Sequence, residues 1–302
     1  MCLIILAHQI KPHLPLIVMA NRDEFFKRPT EPAAFWKPKS AAPGILAGKD
    51  LEADGTWLGI TRNGKFAAVT NIREPSHKVR NPISRGQLPL EFLISKKSPI
   101  NFATELTAKF PDYDGFNLLL ADKNSLIYLN SSTQSISELQ PGIYGLSNGL
   151  LDANWPKINR GRKKLRNLIN KEINATTDSL ISIMSDRNAA PDEFLPNTGI
   201  PIELERKLSS SFVTIPERCY GTLCSTAVII SNDGLTKFDE QSFDESGNPV
   251  EQVEFYEEKR LISHARINSA LGRQFVITGL STREANDLSL LISSGSLAAP
   301  MT

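Results

Sequence analysis

Apolar residues come in short runs along the first third of the chain, divided by polar and turn-forming residues. "CLIILAH" (2–8) and "LPLIVMA" (14–20) are two such runs, separated by "QIKPH". Both are apolar at nearly every position rather than at alternate ones, so they predict a hairpin whose arms are buried on both faces. Prolines at 29, 32, 38 and 43 then predict an irregular loop, because proline has no donor for a ladder. "TWLGITRNGKFAAVTNIR" predicts a second hairpin turning at Asn63-Gly64, a pair suited to a type I′ turn, in which both central residues need positive φ.

From Ser84 the spacing becomes helical. "SRGQLPLEFLIS" and "SPINFATELTAKF" predict two short helices on one face of a sheet, with Ser or Asn at their starts. "GFNLLLAD", "SLIYLN" and "GIYGLSN" predict further strands, "WPKINRGRKKLRNLIN" a helix with Pro156 near its first turn, and residues 178–186 another. Residues 187–216 carry little pattern and predict a long loop or lid. "STAVIISNDGLTKFDEQSF" predicts a hairpin closed by Asn232-Asp233-Gly234, and Ser281 followed by Glu284 a capping box that starts a last helix. Strand hairpins with helices arriving in blocks predict an α+β fold, with mostly antiparallel sheets covered by helix layers. No linker or internal repeat interrupts the chain, so residues 1–302 are expected to form a single domain.

Composition changes this picture little. The chain is 40% hydrophobic and 22% charged with a net charge of +1, which gives no reason to expect nucleic acid as a partner. "RGRKK" (160–164) reads as a solvated basic helix face. No run approaches the roughly 20 apolar residues of a membrane span. The first eight residues are too short for a secretory signal, and three cysteines make no even disulfide set, so a cytoplasmic location is expected. The four histidines are scattered, and Cys219 and Cys224 read as two buried thiols at a strand end, so no metal site is expected. Asp50, Glu52 and Asp54 lack the Glu that a calcium loop needs twelve positions on.

The candidate chemistry begins at Cys2. Either it is a buried thiol near the terminus, or it becomes the N-terminal residue once Met1 is removed. In the second case one residue holds both nucleophile and base, because an α-amine with a pKa of about 7.7–8 can take the proton of a thiol near 8.5.

"NRDE" (Asn21–Glu24), behind an N-terminal "MC" and an apolar hairpin, is the signature of the NRDE family, also called the TANGO2 (transport and Golgi organisation 2) family, which this chain resembles. "RP" (Arg28, Pro29), "GTWLGI" (55–60), "AAVTNIR" (67–73), "SRG" (84–86), "YGLSNG" (144–149) and "YGT" (220–222) follow in the family's order. That family in turn looks like a branch of the cysteine-type N-terminal nucleophile (Ntn) hydrolases, which include penicillin V acylase and bile salt hydrolase. The resemblance implies a four-layer αββα sandwich presenting Cys2 at the end of a buried strand. It implies Cys2 as nucleophile and base, Asp23 and Arg22 as organisers of its amine and thiolate, and Asn71 and Asn148 as oxyanion donors. Residues adjacent on a strand point to opposite faces, so Arg22 and Asp23 share one site only if the strand ends or bulges at 21–23. The same four residues also read as a salt-bridged surface turn and as turn asparagines.

The pattern departs from the family at "YGTLCST", where Leu223 and Cys224 replace a cation and a hydroxyl, and the acylases' late arginine has no counterpart. The family has also been associated with haem mobilisation and with acyl-CoA or lipid handling. Two functions are therefore expected as alternatives. One is hydrolysis of a small-molecule amide or related acyl bond, requiring no cofactor. The other is a non-catalytic carrier of haem, acyl-CoA or lipid, with Cys2 or a histidine as axial ligand where haem is bound.

Overall fold

The computed structural model describes residues 2–36, 44–73, 83–171, 175–232, 235–258 and 260–268. The apolar runs form strands β1 (Cys2–Lys11) and β2 (Leu14–Phe25), paired as the expected hairpin. Strands β3 (Thr30–Phe35), β4 (Ile45–Asp50), β5 (Leu58–Thr61) and β6 (Phe66–Asn71) follow. Helices α1 (Gln87–Ile94) and α2 (Pro99–Leu106) precede β7 (Phe116–Ala121), β8 (Leu126–Asn130), β9 (Ser135–Glu138) and β10 (Gly142–Leu146). Then come α3 (Pro156–Lys171), α4 (Thr177–Met184), α5 (Ile202–Lys207) and a short β11 (Thr214–Ile215). Strands β12 (Tyr220–Ile230), β13 (Thr236–Phe243), β14 (Pro249–Glu258) and β15 (Arg260–Asn268) complete the described chain.

Two antiparallel sheets result. One runs β10-β1-β2-β12-β13-β14-β15, with β11 on β12, and the other β3-β4-β5-β6-β7-β8-β9. Alternation along the strands sorts their side chains into three cores. Ile4, Leu6, Val18 and Ala20 of the first sheet meet Leu46, Leu58, Phe66 and Leu119 of the second in one core between the sheets. The odd-numbered Leu3, Ile5, Ile17 and Met19 pack instead under Ile158 and Leu165 of α3 and Leu180 and Met184 of α4. Ala67, Val69, Leu118 and Leu120 pack under α1 and α2. The layer order is therefore helix, sheet, sheet, helix, and it explains why β1 and β2 are apolar at almost every position.

The sequence reading is corrected in four places. The proline-rich stretch holds β3, an edge strand whose ladder with β4 slips between Glu31 and Ala34, around Pro32, where a missing donor is tolerated. Of the Asn63-Gly64 pair only Gly64 has positive φ (+86°), so the β5–β6 turn is not type I′. It is closed by Thr61, whose N–H donates to Lys65 O (2.9 Å) and whose Oγ1 accepts from Lys65 N (3.1 Å). Residues 187–216 contain α5 and β11. Cys219 is only partly buried, at φ +48° before β12, whereas Cys224 is buried. Asp233-Gly234 and the capping box at Ser281 lie outside the described residues.

Candidate active site around Cys2

Cys2 opens β1 and pairs with Arg22 of β2, which in turn pairs with Cys224 of β12. The three side chains thus form a row on the face toward the second sheet, since even-numbered β1 and β2 residues point there. Two strand spacings separate the thiols, about 10 Å, beyond disulfide reach. The second sheet receives the Arg22 guanidinium: Nη1 donates to Thr30 Oγ1 (2.6 Å), Nη2 to Asp50 Oδ2 (3.2 Å), and the group stacks 4.1 Å over the Trp57 ring. Asp50 is shared with Arg28, whose Nε lies 2.6 Å from Oδ2.

Asp23 points the other way, toward the helix layer. Strand β2 continues to Phe25, and the irregularity falls on β12, where Leu223 is the extra residue between Thr222, opposite Asp23, and Cys224, opposite Arg22. The expected bulge is therefore on the partner strand, and Arg22 and Asp23 straddle the sheet. Leu223, one of the two residues of the "YGTLCST" departure, thus has no partner in the β2 ladder. Thr222 Oγ1 donates to Asp23 Oδ1 (2.7 Å), and Tyr220 Oη donates to Asp23 O (3.0 Å). Burial raises the Asp23 carboxyl above its ordinary range, and the Lys157 charge opposes the shift. Burial likewise pushes the Cys2 thiol up, with Asp23 reinforcing and Arg22 opposing.

The first residue of "NRDE" is a clamp. Asn21 Nδ2 donates to Met184 O (2.9 Å) and Ser211 O (2.8 Å), and its Oδ1 accepts from Ser225 Oγ (2.6 Å). Glu24 Oε1 accepts from the neighbouring Phe25 N–H. The tetrad therefore divides into clamp, inner cation, outer acid and partly exposed end.

Asn71 and Asn148 are brought together. Asn71 ends β6, Asn148 follows β10, and Asn148 Nδ2 donates to Asn71 O (2.7 Å). That bond uses one of two amide hydrogens, leaving a second to donate. Next to it, Ser147 Oγ donates to Cys2 O (2.9 Å), which ties the backbone of Cys2 to the turn carrying Asn148. Buried polar groups anchor this turn to the second sheet: Thr70 Oγ1 donates to Ser147 O (2.7 Å), and Asn117 Nδ2 to Gly149 O (2.9 Å). A cleft of about 440 Å3 opens beside Asn148, lined also by Arg73, Trp155 and Thr198. Arg73 Nη1 donates to Glu205 Oε2 (2.7 Å) and Thr198 Oγ1 (2.9 Å), so α5 and its preceding loop close one wall.

Residues 1–245 match the family model of Transport and Golgi organisation 2. The chain belongs to that family. The bovine Transport and Golgi organization protein 2 homolog is 35% identical over 243 residues, covering 75% of this chain and 86% of that protein. A solved structure of the Caenorhabditis elegans N-acylethanolamine-hydrolyzing acid amidase ortholog superposes with a TM-score of 0.45 at 12% identity, over 76% of this chain and 92% of that one. Residues 200–299 also match the SecDF P1 head subdomain. Within Pseudomonas aeruginosa SecD the similarity is 44% over 75 residues, 24% of this chain and 12% of that protein. Among the described residues no helix is long and apolar enough to cross a membrane.

Lys157 and Glu205 of the candidate site were not singled out from sequence, and Thr222 entered only within the "YGT" block. Of the first two, Lys157 alone left a signal, since it sits four residues before Gly161 and eight before Leu165, on the stripe of α3 that is buried.

Proposed function

We propose that this protein hydrolyses an amide or related acyl bond with Cys2 as nucleophile, after removal of Met1. The observation that supports this best is that Cys2 pairs with Arg22, next to Asp23, and is tied through Ser147 to the turn where Asn148, bonded to Asn71, borders the open cleft. The α-amine of Cys2 takes the Sγ proton and the thiolate attacks the acyl carbon. The leaving group takes the proton back as its bond breaks, and water hydrolyses the thioester. Arg22 favours the thiolate. The second amide hydrogen of Asn148 and the side chain of Asn71 are the donors available to the oxyanion. A thiol raised by burial has need of such a base.

Intact-mass analysis of cellular protein is expected to show Met1 absent, and an acylating thiol probe to label wild type and not Cys2→Ala. Retention of Met1, or equal labelling of both proteins, sinks the proposal. Co-purification of haem or an acyl-CoA without labelling favours the carrier alternative.

A further inference from the structure

A lysine ammonium enters a protein interior at a large cost unless oxygens or an opposite charge receive it. Lys65, 8% exposed, meets that need with backbone carbonyls: its Nζ donates to Ser95 O (2.8 Å), Lys97 O (2.9 Å) and Phe92 O (3.2 Å). Lys157 is only 2% exposed, and its Nζ donates to no oxygen of the described residues.

The seating of α3 shows where Lys157 lies. Gly161 leaves no room for a side chain against Ile5 of β1, and Ile158 packs on Gly145 of β10, which pairs with Ile5. One turn before Gly161, Lys157 stands toward the end of the strands where Cys2 and Asp23 sit. The charges that reach it are Asp23 of β2 first, then Arg73 after β6, Cys2 of β1 and Glu205 of α5. Glu24 of β2 and Tyr220 of β12 act on Asp23 as well. Glu205 already receives Arg73 at 2.7 Å. Of these groups Asp23 is the one whose charge acts most strongly on Lys157. Burial lowers the Lys157 ammonium to about 8, with Asp23 opposing, while burial raises Asp23 with Lys157 opposing: each holds the other charged.

We propose that Lys157 is a positioning residue of the Cys2 site, the counter-charge that keeps Asp23 ionised on the helix side of β2 so that its carboxylate can orient the α-amine of Cys2. The role of that amine rests on the hydrolase reading; the pairing of Lys157 with Asp23 does not. The carboxylate accepts a hydrogen bond from the amine, leaving the nitrogen lone pair free to take the Sγ proton.

The test follows the Asp23 carboxyl directly. Protein labelled with 13C at aspartate Cγ, with the Asp23 signal assigned through Asp23→Asn, is titrated from about pH 4 to 9 as wild type, Lys157→Met and Lys157→Arg. The Asp23 midpoint is expected to rise by about one pH unit or more in Lys157→Met and to move little in Lys157→Arg. Iodoacetamide alkylation of Cys2, followed by peptide mass over the same range, is expected to change its pH profile only in Lys157→Met. An unmoved Asp23 midpoint in folded Lys157→Met overturns the proposal. If that variant does not fold, Lys157→Met combined with Asp23→Asn decides: recovered folding supports the pairing, and continued failure overturns it. Neither readout needs turnover. A shifted midpoint in a protein without hydrolase activity defeats only the hydrolase reading, and an unmoved midpoint in an active one defeats only the role of Lys157.

Discussion

At Asp239 burial outweighs every nearby donor. Its carboxyl is pushed up to about 7 by burial, with Glu254 and Asp178 adding to the shift and the Thr177 hydrogen bond opposing it. In an unfolded chain it titrates near 3.9, so between about pH 4 and 7 the folded state binds more proton. The stability tied to this group is present below about pH 4 and lost as pH rises through about 7. Asp239→Asn should therefore raise the melting temperature at pH 8, by about 1–3 kcal/mol of stability, and change it little at pH 4. Equal shifts at the two pH values would sink this account. Single residues also show what was legible in advance. Cys2, Asp23 and Asn148 announce themselves by type and motif. Lys157 does not, because a charge on a helix reads as solvated until its position on the apolar stripe is counted. Glu205 gains its role only through a partner 132 residues away, which no local pattern reports, and the "YGT" block marks Thr222 without its partner 199 residues away.

Elements explain why separate sequence blocks travel together. "GTWLGI" and "SRG" meet at the start of α1, where Thr56 N donates to Gly86 O (2.9 Å) and Gln87 Nε2 to Ala53 O (2.6 Å). A Cβ on Gly55 would lie 2.5 Å from the Gly86 backbone, too close for either segment to yield cheaply. Gly55→Ala is thus expected to cost about 1–3 kcal/mol and to shift Trp57, two residues on, away from Arg22. Denaturant unfolding, and the fluorescence maximum in a background with Trp36 and Trp155 replaced by Phe, check it, and a variant with wild-type stability would contradict the contact. Strands buried on both faces were legible as continuous apolar runs. Strand β3 was not, because its prolines conceal an edge strand, and neither was β9, whose Ser135–Glu138 pattern is half polar. Helix α5 has six residues, below the length at which periodicity speaks.

For the molecule as a whole, the two family matches overlap over residues 200–245, and the structure places β12 and β13 of that stretch inside the first sheet. Every candidate site residue precedes β14. A chain ending at residue 258 keeps β10-β1-β2-β12-β13-β14 of the first sheet and every strand of the second, and should unfold cooperatively and retain Cys2 alkylation. Loss of cooperative unfolding would show that the segment beyond it is needed for one undivided domain, as the uninterrupted sequence leads one to expect. The layer architecture was legible from hairpins and helix blocks; the straddling of β2 was not, because it depends on a bulge in a strand 200 residues downstream of Arg22. That strand order sets a sequence of events in synthesis. Until β12 emerges, β2 has β1 on one side and an open edge on the other, and a nascent chain grows at about 5–20 residues per second. Arg22 and Asp23 thus wait for about 10–40 seconds with a bare row of backbone donors and acceptors beside them. Ribosome-bound chains of this protein should be at their most chaperone-dependent in that interval, and Cys2, among the first residues made, is among the last to find its setting.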